Sequence, residues 1–311
     1  MPAGHDLQIG EARAVMALAL LAALADGRNE DRERAELRRV ADALGGELDV
    51  PALLSDVLVR RVSVSSLADE LTTPETRRLA FELAVGVCDA DGLRNEAETR
   101  FLAELGRQLG LDQPAIVETA VTADQLATTP LPAPVAAAAS APAAADLDRL
   151  ILDAALLNGA LELLPQTLAT MAIVPLQLKL VHRIGRAYGV ESDKLQIREL
   201  LATAGAGVTG QYLERIGRRL VSGLFGKGGI VAAVATGATG ALFSFATTYA
   251  IGEVARRYYA GSRTMSTALL QQTFVELLQK GKALQAQYLP QIEEQARRLD
   301  PSKILQLLRD G

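Results

Sequence analysis

The stretch Ala23–Leu37, ALADGRNEDRERAEL, sets an Asp-Gly step at Asp26-Gly27 ahead of a glutamate, Glu33, seven residues past the aspartate. Sixty-five residues further on, Val87–Leu102 reads VCDADGLRNEAETRFL and repeats the pattern as Asp91-Gly92 with Glu98. Each copy leads into a run rich in leucine and arginine, LRRVADALGG after the first and LAELGRQLGL after the second. The unit is helix, acidic turn, helix, and its repetition predicts an internal duplication whose two hairpins pack together. Gly27 and Gly92 allow the chain to leave the first helix at positive φ. Glu30, Glu33, Glu96 and Glu98 fall at or near the start of the following helix, where the dipole favours negative charge.

The same reading extends over the whole chain. Hydrophobic residues are 49% of 311, yet aromatics are 4% and Trp is absent. Alanine, leucine and arginine dominate, a composition that favours helix over strand, and no convincing period-2 run is present. The expected fold class is all-α, in two helical domains. The first is a duplicated helical-hairpin bundle over 1–127, and the second a glycine-rich apolar bundle over 146–311. Between them, 128–145 holds four prolines among small uncharged residues and reads as an extended, semi-rigid spacer.

In the first domain the pattern predicts a core helix over Ile9–Ala25 and an amphipathic one over Asp31–Leu44. A short helix follows to Val59, and another begins at Pro74 with Thr73 as its N-cap and ends near Cys88. Glu96–Leu109 and Gln113–Thr119 complete it. In the second, Leu147–Leu164 is helical up to Pro165, and an apolar stretch runs past Pro175 to Arg186. Gly228–Gly252 is 25 residues without a charge. The tail from Thr264 is amphipathic until Pro290.

Charge divides along the same boundary. Residues 1–127 carry 13 Arg and no Lys against 23 Asp or Glu, a net of −10; residues 146–311 carry 19 Lys or Arg against 14 acids, a net of +5. That swing points to different surroundings for the two halves. One cysteine, Cys88, excludes an internal disulfide and cysteine-rich zinc sites, and reads as a small buried thiol at a helix end. His5 and His182 have no metal-ligand spacing, and His182 reads as a helix-face residue at a boundary. The N-terminus lacks a basic region before an apolar stretch, so a cleaved signal peptide is not expected.

The doubled motif, Ala25-Asp26-Gly27 with Glu33 and Ala90-Asp91-Gly92 with Glu98, resembles the TerB-like family, named for bacterial tellurite-resistance proteins. The resemblance covers roughly residues 8–125. It implies a compact all-helical domain and acidic turns that gather around a divalent cation, calcium or magnesium. The candidate ligands are then Asp26, Glu33, Asp91 and Glu98, with Asp89, Glu30 and Glu96 as neighbours. Hard cations take several carboxylate oxygens, so the chemistry is coherent. The turns are not EF-hands, because the Asp-x-Asp-x-Asp-Gly register with its distal Glu is missing. Capped helix turns with solvated acids explain the same residues without a metal.

The C-terminal segments RIGRAYGV, TAGAGVTGQYLERIGRRL and YAIGEVARRYYAGSRTMS, with the uncharged run between them, resemble the YcjF-like family. The match spans about Leu150 to Leu289. It implies inner-membrane association and a GTPase partner or a stress role, although this chain carries no GTPase domain. The run meets the length of a membrane span, but five glycines dilute it, and Gly237 and Gly240 would permit close helix packing or break the helix. Arg215, Arg218, Arg219 and Lys227 precede it; Arg256 and Arg257 follow it. Cations at both ends suit a shallow hairpin facing phospholipid headgroups better than one span. A buried bundle helix explains the missing charges equally well.

SGLFGKGG is not a phosphate-binding loop, since Gly228 stands where Ser or Thr must hold magnesium. No acid, base and nucleophile converge, so an enzyme is not expected, and the net acidity argues against nucleic acid. The expected role is a non-enzymatic scaffold at the cytoplasmic face of the bacterial inner membrane. The alternative is a soluble homo-oligomer whose glycine-rich helices form the contact.

Overall fold

The computed structural model describes residues 8–25, 31–44, 48–90, 94–128, 131, 143–164, 171–221 and 243–300. Among them the chain forms thirteen helices and no strand, so the fold is all-α. It divides into two compact units, Met1–Ala127 with Thr209–Ala241, and Thr128–Val208 with Leu242–Gly311. The chain leaves the first unit at Thr128 and returns to it at Thr209.

The first unit is built on α1 (Ile9–Ala23), whose residues from Ala14 to Leu20 are all buried. Packed on it are α3 (Val50–Leu58), α4 (Val64–Asp69), α5 (Pro74–Cys88) and α6 (Glu96–Gln108), while α2 (Asp31–Leu44) lies against α3. α7 is Gln113–Thr128, nine residues longer than the pattern suggested. α4 escaped the sequence reading, because six residues with Leu67 and Ala68 inward show too little periodicity. Its start is nevertheless encoded, since the Ser66 amide donates to Ser63 Oγ at 3.1 Å. α5 begins as expected: the Thr76 amide donates to Thr73 Oγ1 at 3.1 Å, and Pro74 occupies the first turn. Cys88, at its end, is buried, and its thiol donates to the Ala22 carbonyl at 3.9 Å.

Glu11 joins the two ends of this unit. Its Oε1 accepts from the Thr72 hydroxyl at 2.7 Å and the Thr72 amide at 3.2 Å, and its Oε2 from the Gln8 amide at 3.3 Å. Burial alone would raise its pKa, but these bonds and one from Thr76 outweigh it and hold the carboxyl below its ordinary value. α1 and α5 are thus stapled where the first turns of both helices meet.

The second unit centres on α12 (Phe243–Ala260), packed against α8 (Ala144–Glu162), α9 (Ile173–Ala187) and α13 (Thr267–Arg298). α10 (Lys194–Thr203) folds back on α9. Glycines set the approach distances: a Cβ at Gly281 would lie 2.8 Å from the Ala246 carbonyl oxygen, and one at Gly252 2.9 Å from Ile151. Gly237 and Gly240, the expected packing glycines, lie outside the described residues. Pro290 does not interrupt α13. It is exposed, so the missing N–H falls on the solvent side while Ile292 and Ala296 continue the buried face.

The end of the uncharged run is a bundle core. Phe243 to Gly252 are all buried, against α8, α9 and α13. No described helix is long and apolar enough to cross a membrane; residues 228–242 lie outside the described set.

Candidate functional site

The second acidic turn is assembled by the ends of α5 and α6. Asp89 caps α5 and is 8% exposed. Arg94 reaches back across the turn and donates from Nε to Asp89 Oδ1 at 2.9 Å and from Nη2 to Oδ2 at 2.6 Å. A planar guanidinium facing a carboxylate in this way is a strong, oriented pair. Asn95 starts α6, its Oδ1 accepting from the amides of Ala97 and Glu98 at 2.8 and 3.0 Å. Glu98 answers by accepting from the Asn95 amide at 2.8 Å, which completes a reciprocal capping box. Glu98 is buried, and Glu96 is exposed in the first turn.

This arrangement does not fit a divalent cation at the described carboxylates. Both Asp89 oxygens accept from a cation that belongs to the chain, Glu98 caps a helix, and Glu96 faces outward. Among the described residues no three His, Cys, Asp or Glu side chains are grouped to hold a metal ion. Asp26, Glu30 and Asp91 lie outside the described residues, as does the side chain of Glu33.

Arg94 is the member that sequence reasoning missed, although a signal was available. The positions matching Asp89 and Arg94 in the first copy are Leu24 and Asn29. Both partners are present in one repeat and both are absent from the other, as expected of an ion pair.

α11 (Val208–Val221) belongs to the same unit from Thr209 onward and adds a buried aromatic group. Burial pushes the Tyr212 phenol well above its ordinary pKa; the Arg215 guanidinium opposes this and the Asp89 carboxylate reinforces it. Arg215 is 2% exposed and stands over the Tyr212 ring, 5.3 Å from its centroid. Arg215 is therefore an interior side chain and not a surface cation facing headgroups. Arg218 pairs with Glu214 at 2.5 Å. Arg256, in the second unit, pairs with Glu253 at 2.5 Å and Asp148 at 2.6 Å, while Arg257 is exposed. Lys227 and the side chain of Arg219 are outside the description.

The bundle around α12 carries its own polar interior. Thr248 Oγ1 accepts from Asn158 Nδ2 at 3.0 Å and from Gln177 Nε2 at 2.9 Å, tying α8 and α9 to α12. Glu162 Oε2 accepts from the Ser244 amide at 2.6 Å, so a buried carboxylate meets the positive end of α12. His182 is buried, contrary to its expected place at a boundary. Its Nδ1 donates to the Ser192 carbonyl at 3.0 Å, and Ser192 Oγ lies 3.3 Å from the Tyr259 hydroxyl. These groups join helices to one another; among the described residues none is arranged as nucleophile, base and orienting group.

One described concavity, about 400 Å³, opens between α2 and α3 and is lined chiefly by Arg38, Ala41, Asp42, Leu54, Leu58 and Val59.

Residues 5–145 match the family model described as "Protein of unknown function (DUF533)", a TerB-like family, which is loosely consistent with the N-terminal resemblance read from the acidic turns. The match ends at residue 145. No curated protein and no solved structure matches the chain.

Proposed function

We propose that this protein is a non-enzymatic scaffold that acts at the cytoplasmic face of a bacterial inner membrane. The observation that carries the non-enzymatic part is the use made of its polar interior. Asp89, Glu98, Glu162, Asn158, Gln177 and His182 are engaged in pairing, capping or crosslinking helices. The membrane part is supported by the charge division, a basic C-terminal half against a strongly acidic N-terminal one, and by the resemblance to YcjF-like domains. Its expected partners are anionic phospholipids and, as the YcjF-like resemblance of the C-terminal half implies, a GTPase.

Flotation of the purified full chain with vesicles tests the setting. The chain should rise with vesicles containing anionic lipid, stay down with neutral ones, and lose binding as salt screens the headgroups. Failure to float with either composition would remove the membrane from the proposal.

A second reading, a soluble self-associating protein, is favoured by a specific observation. Phe243–Gly252 is bundle interior, and Arg215, Arg218 and Arg256 are engaged within the fold, which leaves fewer groups for a membrane surface.

A further inference from the structure

The cleft between α2 and α3 takes one face from each helix. Arg38, Ala41 and Asp42 share a face of α2 at i, i+3 and i+4, and Leu54, Ser55 and Leu58 share one of α3. Ala41 and Leu54 are buried and Leu58 is half-buried, so the floor is aliphatic. Arg38, Asp42 and Ser55 are exposed at its mouth. Ala41 and Ser55 are small, which keeps about 400 Å³ open between the larger side chains.

The two charges of the lining stand apart. Arg149 and Asp153 have the same residue types, order and spacing, are also exposed, and close to 3.7 Å. Arg38 and Asp42 form no such pair. Among the described residues no hydrogen bond or ion pair engages either side chain, or that of Ser55. Asp56 is held by Arg61 at 3.4 Å, and Asp49 precedes the first turn of α3 outside the lining. The cleft is therefore neutral overall, and it offers a guanidinium, a carboxylate and a hydroxyl around an aliphatic floor.

We propose that this cleft binds a free α-amino acid with a branched aliphatic side chain, of the leucine type. Its carboxylate meets the Arg38 guanidinium, whose donor fork matches two carboxylate oxygens. Its ammonium meets Asp42, one turn along, and its alkyl group covers Leu54 and Leu58. Side chains one turn apart on a helix start about 5–6 Å apart at Cβ, a gap that one ammonium–carboxylate pair can bridge. A fatty acid, a polyamine or an uncharged peptide segment would leave one charge of the cleft unmet. The open volume is at the small end for ligand pockets, which suits a molecule of this size. The cleft adds a ligand to the proposed scaffold and does not depend on where the scaffold is located.

Saturation-transfer NMR of the full chain with leucine tests it, read at the ligand methyl groups. An open site for so small a ligand should give a dissociation constant on the order of 1 mM. N-acetylleucine lacks the ammonium and leucinamide lacks the carboxylate, so each should bind roughly 10-fold more weakly. Arg38→Gln and Asp42→Asn alter exposed side chains, and each should weaken leucine binding by a similar factor with an unchanged melting temperature. Ser55→Trp, also at an exposed position, should abolish the signal by filling the cleft. No transfer to the methyl groups at about 10 mM leucine, ten times the expected dissociation constant, would overturn the proposal. So would equal binding of leucine, N-acetylleucine and leucinamide, or leucine binding that survives Arg38→Gln or Ser55→Trp. Vesicle flotation is independent of these results, so failure here leaves the membrane setting to its own test.

Discussion

Replacing Gly281 by alanine should push α12 and α13 apart. The added Cβ would lie 2.8 Å from the Ala246 carbonyl oxygen and 2.9 Å from its Cα. Both contacts are with backbone, so no side-chain rotation relieves them, and ordinary contact begins near 3.4 Å. The two helices would have to separate by about half an ångström, loosening the buried Leu277 and Gln285 on either side. Overpacking of this type costs about 1–3 kcal/mol, and a backbone collision belongs at the upper end. Alanine's better helix propensity returns about 1 kcal/mol. The expected net loss is therefore about 2 kcal/mol, or roughly 4–8 °C in the melting temperature of the transition that contains this bundle. Gly10 supplies the control, because nothing lies within 4 Å of a Cβ there and Gly10→Ala should be neutral or stabilising. Calorimetry of the two variants reads both effects. Gly281→Ala melting at or above the wild type would refute the close-crossing argument, since propensity alone would then govern both sites.

Glu11→Gln should destabilise by about 1–2 kcal/mol at neutral pH, measured by urea denaturation. Because the folded carboxyl is held below its ordinary pKa, its stabilisation is complete above the unfolded value, near 4.5, and is lost as pH falls through the folded value. The gap between wild type and variant should therefore close on acidification; a gap independent of pH would contradict the hydrogen-bond account. Thr248→Val removes the acceptor shared by Asn158 and Gln177, leaves two buried amide donors unmet, and should cost about 3 kcal/mol. A loss below about 1 kcal/mol would show that the two amides find other partners. Arg94→Ala leaves the nearly buried Asp89 without its guanidinium and should cost about 2 kcal/mol. Millimolar calcium should not restore that stability, and recovery with calcium would mean that the turn accepts a cation once its own is removed.

Much of this architecture could be read from residue order because local signals and tertiary use coincide. The Asp-Gly-x₅-Glu spacing placed Glu98 at the start of α6, Thr73-Pro74 located the start of α5, and the run from Ile9 located the buried α1. Other features depend on partners distant in sequence. Glu11 looks like an ordinary first-turn acid until Thr72 and Thr76 arrive beside it. Gly281 looks like a weak spot in an amphipathic helix, and only the crossing with α12 explains it. The uncharged run was ambiguous because lipid and bundle interior make the same demand on composition; its described part, Phe243–Gly252, meets neighbouring helices. For the acidic turns, the TerB-like resemblance implied metal ligands, but a carboxylate's availability depends on what donates to it. At Asp89 that donor is Arg94, five residues away.

The setting is tested most directly by fractionating cells that express the full chain. A scaffold held at the membrane face through headgroups should sediment with the membranes and be released by high salt without detergent. Complete recovery in the soluble pool at low salt would contradict the membrane assignment and leave self-association as the working account.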